Sequence, residues 1–594
     1  MQSAETVLDV LRERGRRGLP LDELYRQLFN PQLYLLAYGR IYSNKGAMTP
    51  GATGETVDGM SLGKIEAIIG AMRRERYRFS PVKRIYIPKK GGTKLRPLGL
   101  PPWSDKLVGE VVRLLLEAYY EPTFSDLSHG FRPGRGCHTA LRDVANTWTG
   151  TTWFIEADVS DCFGSLDHDL MVGFLAEKIH DNRFLRLVGN MLTAGYLEDW
   201  VWHATLSGVP QGGVVSPVMS NIYLHRLDSF VETVLIPQYT RGRIRKPDTD
   251  YFRVRAARDR AYKRGDRATA RQLRKQVRTM PSGDPRDPGY RRLRYTRYAD
   301  DQLLGFTGPK AEAEKIKQRL AAFLRDELKL ELSQDKTLIT HARTKAARFL
   351  GYEITVLHND RKVTRGKRSA NGTVSLRVPA SVIKAKQAPY LARGKPERRP
   401  HLLNEDDYTI VGTYGAEWRG IVQYYLPAGN VHRLYRLKWV METSLLKTLA
   451  NKHRSSVSKM ARTFKATLDT PYGPRTCFEA RIERRGRKPL VARFGGIPLK
   501  RRRNAVTTDR AMVPGVIRPK ELVTRLLTDR CEMCGRTDGT SVHHVRKLAD
   551  LERRDQPQPA WAKQMAGRRR KTLVVCRSCH DAIHAGQPTP QLTQ

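Results

Sequence analysis

The stretch Tyr295-Thr296-Arg297-Tyr298-Ala299-Asp300-Asp301-Gln302-Leu303-Leu304-Gly305-Phe306 decides how this chain is read. Two β-prone runs flank a short turn, so the segment predicts a β-hairpin with adjacent carboxylates at its tip. Far upstream, Thr151-Thr152-Trp153-Phe154-Ile155-Glu156-Ala157-Asp158 is an apolar run with an acid at its end. If these strands lie side by side, Asp158 meets the hairpin tip. An isolated Asp pair is ordinarily a solvated turn. Three carboxylates on neighbouring strands can instead hold two divalent cations about 4 Å apart, which activate a hydroxyl nucleophile and stabilise departing pyrophosphate.

The surrounding sequence favours that chemistry. Arg84 to Gly99 reads as strand, cationic Gly-Gly turn and strand, with Lys89, Lys90, Lys94 and Arg96 placed to grip a triphosphate. Ser128-His129-Gly130-Phe131-Arg132-Pro133-Gly134-Arg135-Gly136-Cys137 precedes the Asp158 strand, and Ser207-Gly208-Val209-Pro210-Gln211-Gly212-Gly213 leads into an apolar helix. Small residues in that loop admit close approach of a nucleotide or template strand. Ile316, Leu320, Phe323 and Leu324 predict an amphipathic helix, and Leu328, Leu330 and Leu332 a following strand that leads to Lys336. The succession of strand, helix, hairpin, helix and strand predicts an α+β palm.

Lys and Arg number 106 against 60 Asp and Glu in 594 residues, a formal charge of +46. An excess of that size points to a polyanionic partner, nucleic acid first. No run approaches the ~18 apolar residues of a membrane-spanning helix. Met1 to Pro20 is charged without an apolar core, so a cytosolic location is expected, without membrane association. The length predicts several domains.

Four of the seven cysteines form two Cys-x-x-Cys pairs, Cys531/Cys534 and Cys576/Cys579, the spacing of a closed structural zinc site. Beside them stand His543-His544 and His580 with His584, the latter two on one helix face, where imidazoles can share a cation.

Taken in order, the cationic hairpin, the Gly130 to Cys137 run, Pro210-Gln211-Gly212, Tyr298-Ala299-Asp300-Asp301, the Lys336 segment and Phe349-Leu350-Gly351-Tyr352 resemble the bacterial group II intron-encoded proteins. These carry a reverse transcriptase and maturase followed by a DNA-binding segment and an HNH endonuclease. The resemblance implies a multidomain α+β architecture: right-hand fingers and palm over 1–375 with a basic insertion at 236–294, a helical thumb or maturase domain at 376–465, a basic DNA-binding linker at 466–525, and a small zinc-stabilised ββα-metal HNH domain at 526–594. It implies an RNA-directed DNA polymerase that binds its intron RNA, assists splicing and nicks target DNA to prime copying in the bacterial cytosol or nucleoid.

Residue by residue, it implies two Mg2+ ions on Asp158, Asp300, Asp301 and the Val159 carbonyl. Lys89 and Arg96 would contact the dNTP triphosphate, Phe163 would exclude a 2'-hydroxyl, Gln211 would line the nascent base pair, and Lys336 would help protonate pyrophosphate. His543, His580 and His584 would hold the nuclease's divalent metal, with His544 as general base. The basic insertion would contact intron RNA. One departure from the HNH pattern stands out: no Asn lies between His544 and His584, and Lys571 or Thr572 occupies the place of the residue that orients the base.

Overall fold

The chain is seen in a computed structural model that describes residues 2–88, 95–205, 207–209, 213–359, 362–364, 367–368, 370–484, 487–507, 520–537, 539–551 and 558–589. At its centre is a four-stranded antiparallel sheet ordered Arg292–Tyr298, Asp301–Thr307, Trp153–Asp158, Leu338–His341. Because side chains alternate along a strand, this sheet feeds two cores. Ile155, Leu304, Phe306, Leu293 and Tyr295 face one, shared with helices Trp103–Tyr120, Ser216–Phe230 and Lys310–Leu328. Phe154 and Leu303 face the other, with Trp148, Tyr352 and Trp418. Gly305 opens the space for Trp148, since a Cβ there would lie 2.5 Å from the indole.

The fingers comprise the N-terminal helices and a hairpin, Val82–Pro88 with Leu95–Leu100, extended by Tyr196–Glu198 and Val201–His203. The basic insertion is an antiparallel helix pair, Thr249–Lys263 and Arg267–Thr279, whose buried residues are Ala261, Ala270 and Val277. With so little apolar surface to bury, it stands as a solvated arm. Its span is shorter than 236–294, because the palm strand begins at Arg292. The strand expected through Leu328, Leu330 and Leu332 is not formed. Leu328 ends the preceding helix, Lys329 turns at φ 48°, and Leu332 makes only an isolated bridge to Val159. The three leucines are buried because the turn directs them inward.

In the thumb, helices Asp407–Tyr425 and Tyr435–Lys452 enclose Tyr414, Trp418, Met441 and Leu445. The segment expected as a basic linker is in large part a folded element. Lys465–Thr470, Gly473–Arg484 and Arg487–Gly495 form an antiparallel sheet that packs on helix Asp407–Tyr425. Phe478 pairs with Phe494 and Ala480 with Ala492, and all four are buried. The period-two apolar pattern is sparse among arginines on the outward positions, and so reads as broken coil in the sequence. Gly415 allows the contact: a Cβ there would lie 2.0 Å from the Arg493 carbonyl.

The C-terminal module begins earlier than residue 526, at helix Glu521–Leu527, which Arg525 ties to Glu532 and the Thr572 carbonyl. Strands Thr540–His544 and Thr572–Cys576 pair and lead into helix Arg577–His584. The third strand of this sheet comes from the N-terminal region: Met60 pairs with Val542 and Ser61 with Ser541. Val542 and Val574 join the fingers core, while Leu573 and Val575 face the cysteine cluster. The module is therefore built into the base of the fingers.

Candidate active sites of the palm and the C-terminal module

Asp158 and Asp301 are register partners on adjacent palm strands, and Asp300 occupies the two-residue turn between Tyr298 and Asp301, with Ala299 at φ 56°. Burial pushes the Asp301 carboxyl up to about 7, reinforced by Asp300 and Asp158, and burial also raises Asp300. Crowded carboxylates in this state call for a cation. Lys336 Nζ lies 2.5 Å from Asp158 Oδ2, which turns this acid toward the lysine, and the palm trio does not close into the tight ligand cluster found in the C-terminal module. The three carboxylates still meet at one end of the sheet, and oxygen donors of that kind are what hard divalent cations take. The Val159 to Leu332 bridge uses the Ser160 and Ser333 N–H groups and leaves the Val159 carbonyl out of its ladder.

Arg96 is exposed on its strand and lies close enough to Asp300 to lower its pKa. Phe163 stacks edge-on against Phe131 at 6.3 Å, and its carbonyl accepts from Val209 N–H, so the glycine-rich loop docks beside it. Gly208 at φ 86° permits this approach, since a Cβ would meet the Phe163 carbonyl at 2.6 Å. Lys89 and Gln211 lie outside the described residues.

The hairpin tip is held by a buried network that the sequence reading missed. Arg297, fully buried, makes a two-pronged ion pair with Asp228 at 2.8 and 2.6 Å and also donates to Asn221 and the Ala299 carbonyl. Tyr295 donates to the same Asp228, and Asn221 donates to the Gly130 carbonyl. Gly130 lies against the turn itself, where a Cβ would be 2.3 Å from Ala299 N. The Gly130 motif thus braces the carboxylate turn from the strand edge, with His129 N–H bonded to the Arg297 carbonyl.

In the C-terminal module, the four cysteine sulfurs lie within 4.8 Å of one another, and Cys534 Sγ is 3.6 Å from Cys576 Sγ. A tetrahedron with bonds of about 2.3 Å has edges of about 3.8 Å, so the set fits zinc. Burial works against ionisation of Cys576, yet the Ser578 hydroxyl and the Cys579 N–H bring its thiol down to about 6, while burial and the neighbouring sulfurs raise Cys534 and Cys579.

His543, His580 and His584 converge as expected, with an unexpected fourth member, Asp58. Strand alternation sends the adjacent histidines to opposite faces. His543 faces this cluster, whereas His544 turns into the fingers, only 6% exposed, with Nε2 3.1 Å from the Tyr38 hydroxyl. Burial lowers the His544 pKa to about 4, keeping the ring neutral. The residues that stand in the place of the missing Asn point elsewhere: Lys571 bonds the Arg546 carbonyl and Thr572 meets Arg525. The Tyr38 hydroxyl is instead the group that meets the ring.

The fold and the two acid and histidine centres define a reverse transcriptase joined to a nuclease module that carries a four-cysteine cluster. Three families match in the same order: reverse transcriptase (RNA-dependent DNA polymerase) over residues 87–241, type II intron maturase over 373–474, and AI2M/AI1M-like HNH endonuclease over 531–580. The first match includes Asp158 and stops short of the helical arm. The chain is 36% identical over 588 residues to the group II intron-encoded protein LtrA of Lactococcus lactis subsp. cremoris, covering 94% of both. It is 32% identical over 606 residues to a 91 kDa protein in the cob intron of Schizosaccharomyces pombe, covering 98% of this chain and 72% of that one. Protein YkfC of Escherichia coli matches at 34% over 350 residues, 57% of this chain and 84% of that one. The chain belongs to the group II intron-encoded proteins. Among the described residues no helix is long and apolar enough to cross a membrane.

Proposed function

We propose that this protein works as a ribonucleoprotein with its own intron RNA in the bacterial cytosol or nucleoid, assists splicing of that RNA, nicks target DNA, and copies the intron from the resulting primer. The observation that carries the polymerase step is the register pairing of Asp158 with Asp301 beside Asp300. Two Mg2+ ions bound by these acids and the Val159 carbonyl would activate the primer 3'-hydroxyl and neutralise the departing pyrophosphate. Arg96 would hold the triphosphate together with Lys89. Phe163 would reject the 2'-hydroxyl, Gln211 would line the new base pair, and Lys336, already beside Asp158, would supply a proton to pyrophosphate.

For the nuclease step, a divalent cation held by His543, His580 and His584 would polarise the scissile phosphate, and neutral His544 would take the proton of the attacking water only after it leaves its buried place against Tyr38. Zn2+ on the four cysteines would hold the module together. The solvated arm and the thumb supply cationic surface for phosphate and 2'-hydroxyl contacts with intron RNA. Purifying the protein from cells that carry its native flanking sequence, and sequencing the associated RNA, tests the reading. One long structured RNA spanning the coding region is expected. An unenriched mixture contradicts the splicing role.

A further inference from the structure

Asp58 lies far from the nuclease module in sequence, yet it sits inside the three-histidine cluster. Its Oδ2 is 2.7 Å from His584 Nε2, and its Oδ1 is 3.5 Å from His580 Nε2 and 3.4 Å from His543 Nδ1. Its position is fixed on both sides. Val57 and Met60 are fully buried, Gly59 donates to the Val542 carbonyl, and Met60–Ser61 forms the third strand of the nuclease sheet. The carboxylate also accepts from the His544 N–H at 2.7 Å. His543 is 5% exposed; its Nδ1 has only the long 3.4 Å contact to Asp58, and its Nε2 makes no hydrogen bond. A buried imidazole so placed is a group that awaits a ligand. Three imidazoles and a carboxylate, with donor atoms within 4.8 Å of one another, are a full tetrahedral set for a borderline divalent cation.

A catalytic metal needs an open position for water or substrate, whereas a four-ligand site is closed. The base is masked in the same arrangement, because the Tyr38 hydroxyl holds His544 Nε2 and Tyr42 lies alongside the ring. Both masking groups, and Asp58, belong to the N-terminal region.

We propose that Asp58 is the fourth ligand of the nuclease cation, contributed by the polymerase portion of the chain, and that the completed site locks the module onto the fingers in a state closed to phosphodiester. DNA would gain access when the carboxylate gives way to a phosphate oxygen, so that nicking follows a rearrangement between fingers and nuclease. This rests on the nuclease reading above, and the test separates the two.

The full-length protein, loaded with one equivalent of Zn2+ to fill the thiolate site, is titrated calorimetrically with Co2+, a borderline cation that accepts a tetrahedral set of imidazole and carboxylate donors. Asp58→Asn should weaken Co2+ binding by at least about tenfold, the scale on which even outer-shell losses register. It should also raise nicking of supercoiled plasmid at saturating Co2+. Unchanged affinity overturns the ligand assignment, and a fall in nicking at saturating metal overturns the closed state. Tyr38→Phe, which removes only the hydroxyl on His544, should raise nicking with Co2+ affinity unaltered, and it keeps the closed state testable if Asp58→Asn folds poorly. Weakened Co2+ binding with no nicking by any variant upholds the ligand and instead contradicts the nuclease reading.

Discussion

The palm and nuclease centres are assembled in opposite ways. The palm acids stand on paired strands of one sheet, so a single register places Asp158 opposite Asp301. The nuclease cluster gathers three imidazoles from one small module and a carboxylate from the N-terminal region, which a two-residue strand ties to the module's sheet. A site made by one sheet is present whenever that sheet folds. One assembled across a docking surface can open without unfolding, so under the proposal above the polymerase centre persists while the nuclease centre can be exposed.

Asp300→Ala sharpens the contrast most. It should reduce primer extension by at least about 10³-fold, on the scale of losing a preorganised electrostatic group, while leaving plasmid nicking and assisted splicing in place. Extension within tenfold of the parent would remove Asp300 from the centre, and equal loss of splicing would contradict separate sites.

Next comes the support beneath the turn. Asp228→Ala leaves the fully buried Arg297 unpaired, and removal of one member of such a pair costs about 3–5 kcal/mol. Urea denaturation followed by palm tryptophan fluorescence should show that loss, together with reduced extension. A change below 1 kcal/mol, roughly the value of an exposed pair, would mean that the network does not hold the hairpin.

Cys576→Ser probes the other region. It should release about one equivalent of zinc by elemental analysis, since structural sites fold with their metal, and abolish nicking. Primer extension should fall far less than in the Asp300 variant, because the palm acids lie in a separate sheet. Extension lost in parallel with zinc would show that the fingers depend on the docked module.

The smallest effect is electrostatic. Burial and its acidic neighbours raise Asp301 to about 7 in the folded protein, above its unfolded value near 4. The folded state therefore holds a proton that the unfolded chain has released, and metal-free stability falls as pH rises from about 4 to about 7. Mg2+ offsets the exposed charge, so the rise in Tm on adding Mg2+ should be larger at pH 8 than at pH 5.5. An equal rise at both values would show that the ion binds elsewhere.

Much of the palm is legible because its signals are local. Alternating apolar residues mark the strands, and the acids fall at strand ends. Sparse alternation defeats the same reading at Phe478, Ala480, Ala492 and Phe494, where arginines dominate the composition although the inward positions are apolar. Adjacent histidines look like one functional unit in the sequence, yet a strand's period of two directs His543 to the cluster and His544 to Tyr38.

The sequence by itself determined the order of the domains, the three acids of the palm sheet, the four clustered cysteines and the three clustered histidines, because spacing within a strand, turn or helix is encoded by neighbouring residues. Tertiary structure alone decided that Arg297 and Asp228 hold the carboxylate turn, that Tyr38 rather than Lys571 or Thr572 meets His544, and that Asp58 enters the nuclease cluster. Each of these contacts joins residues distant in the chain through sheet addition or core packing, and a lone Asp or Tyr carries no periodic mark of the partner it will meet.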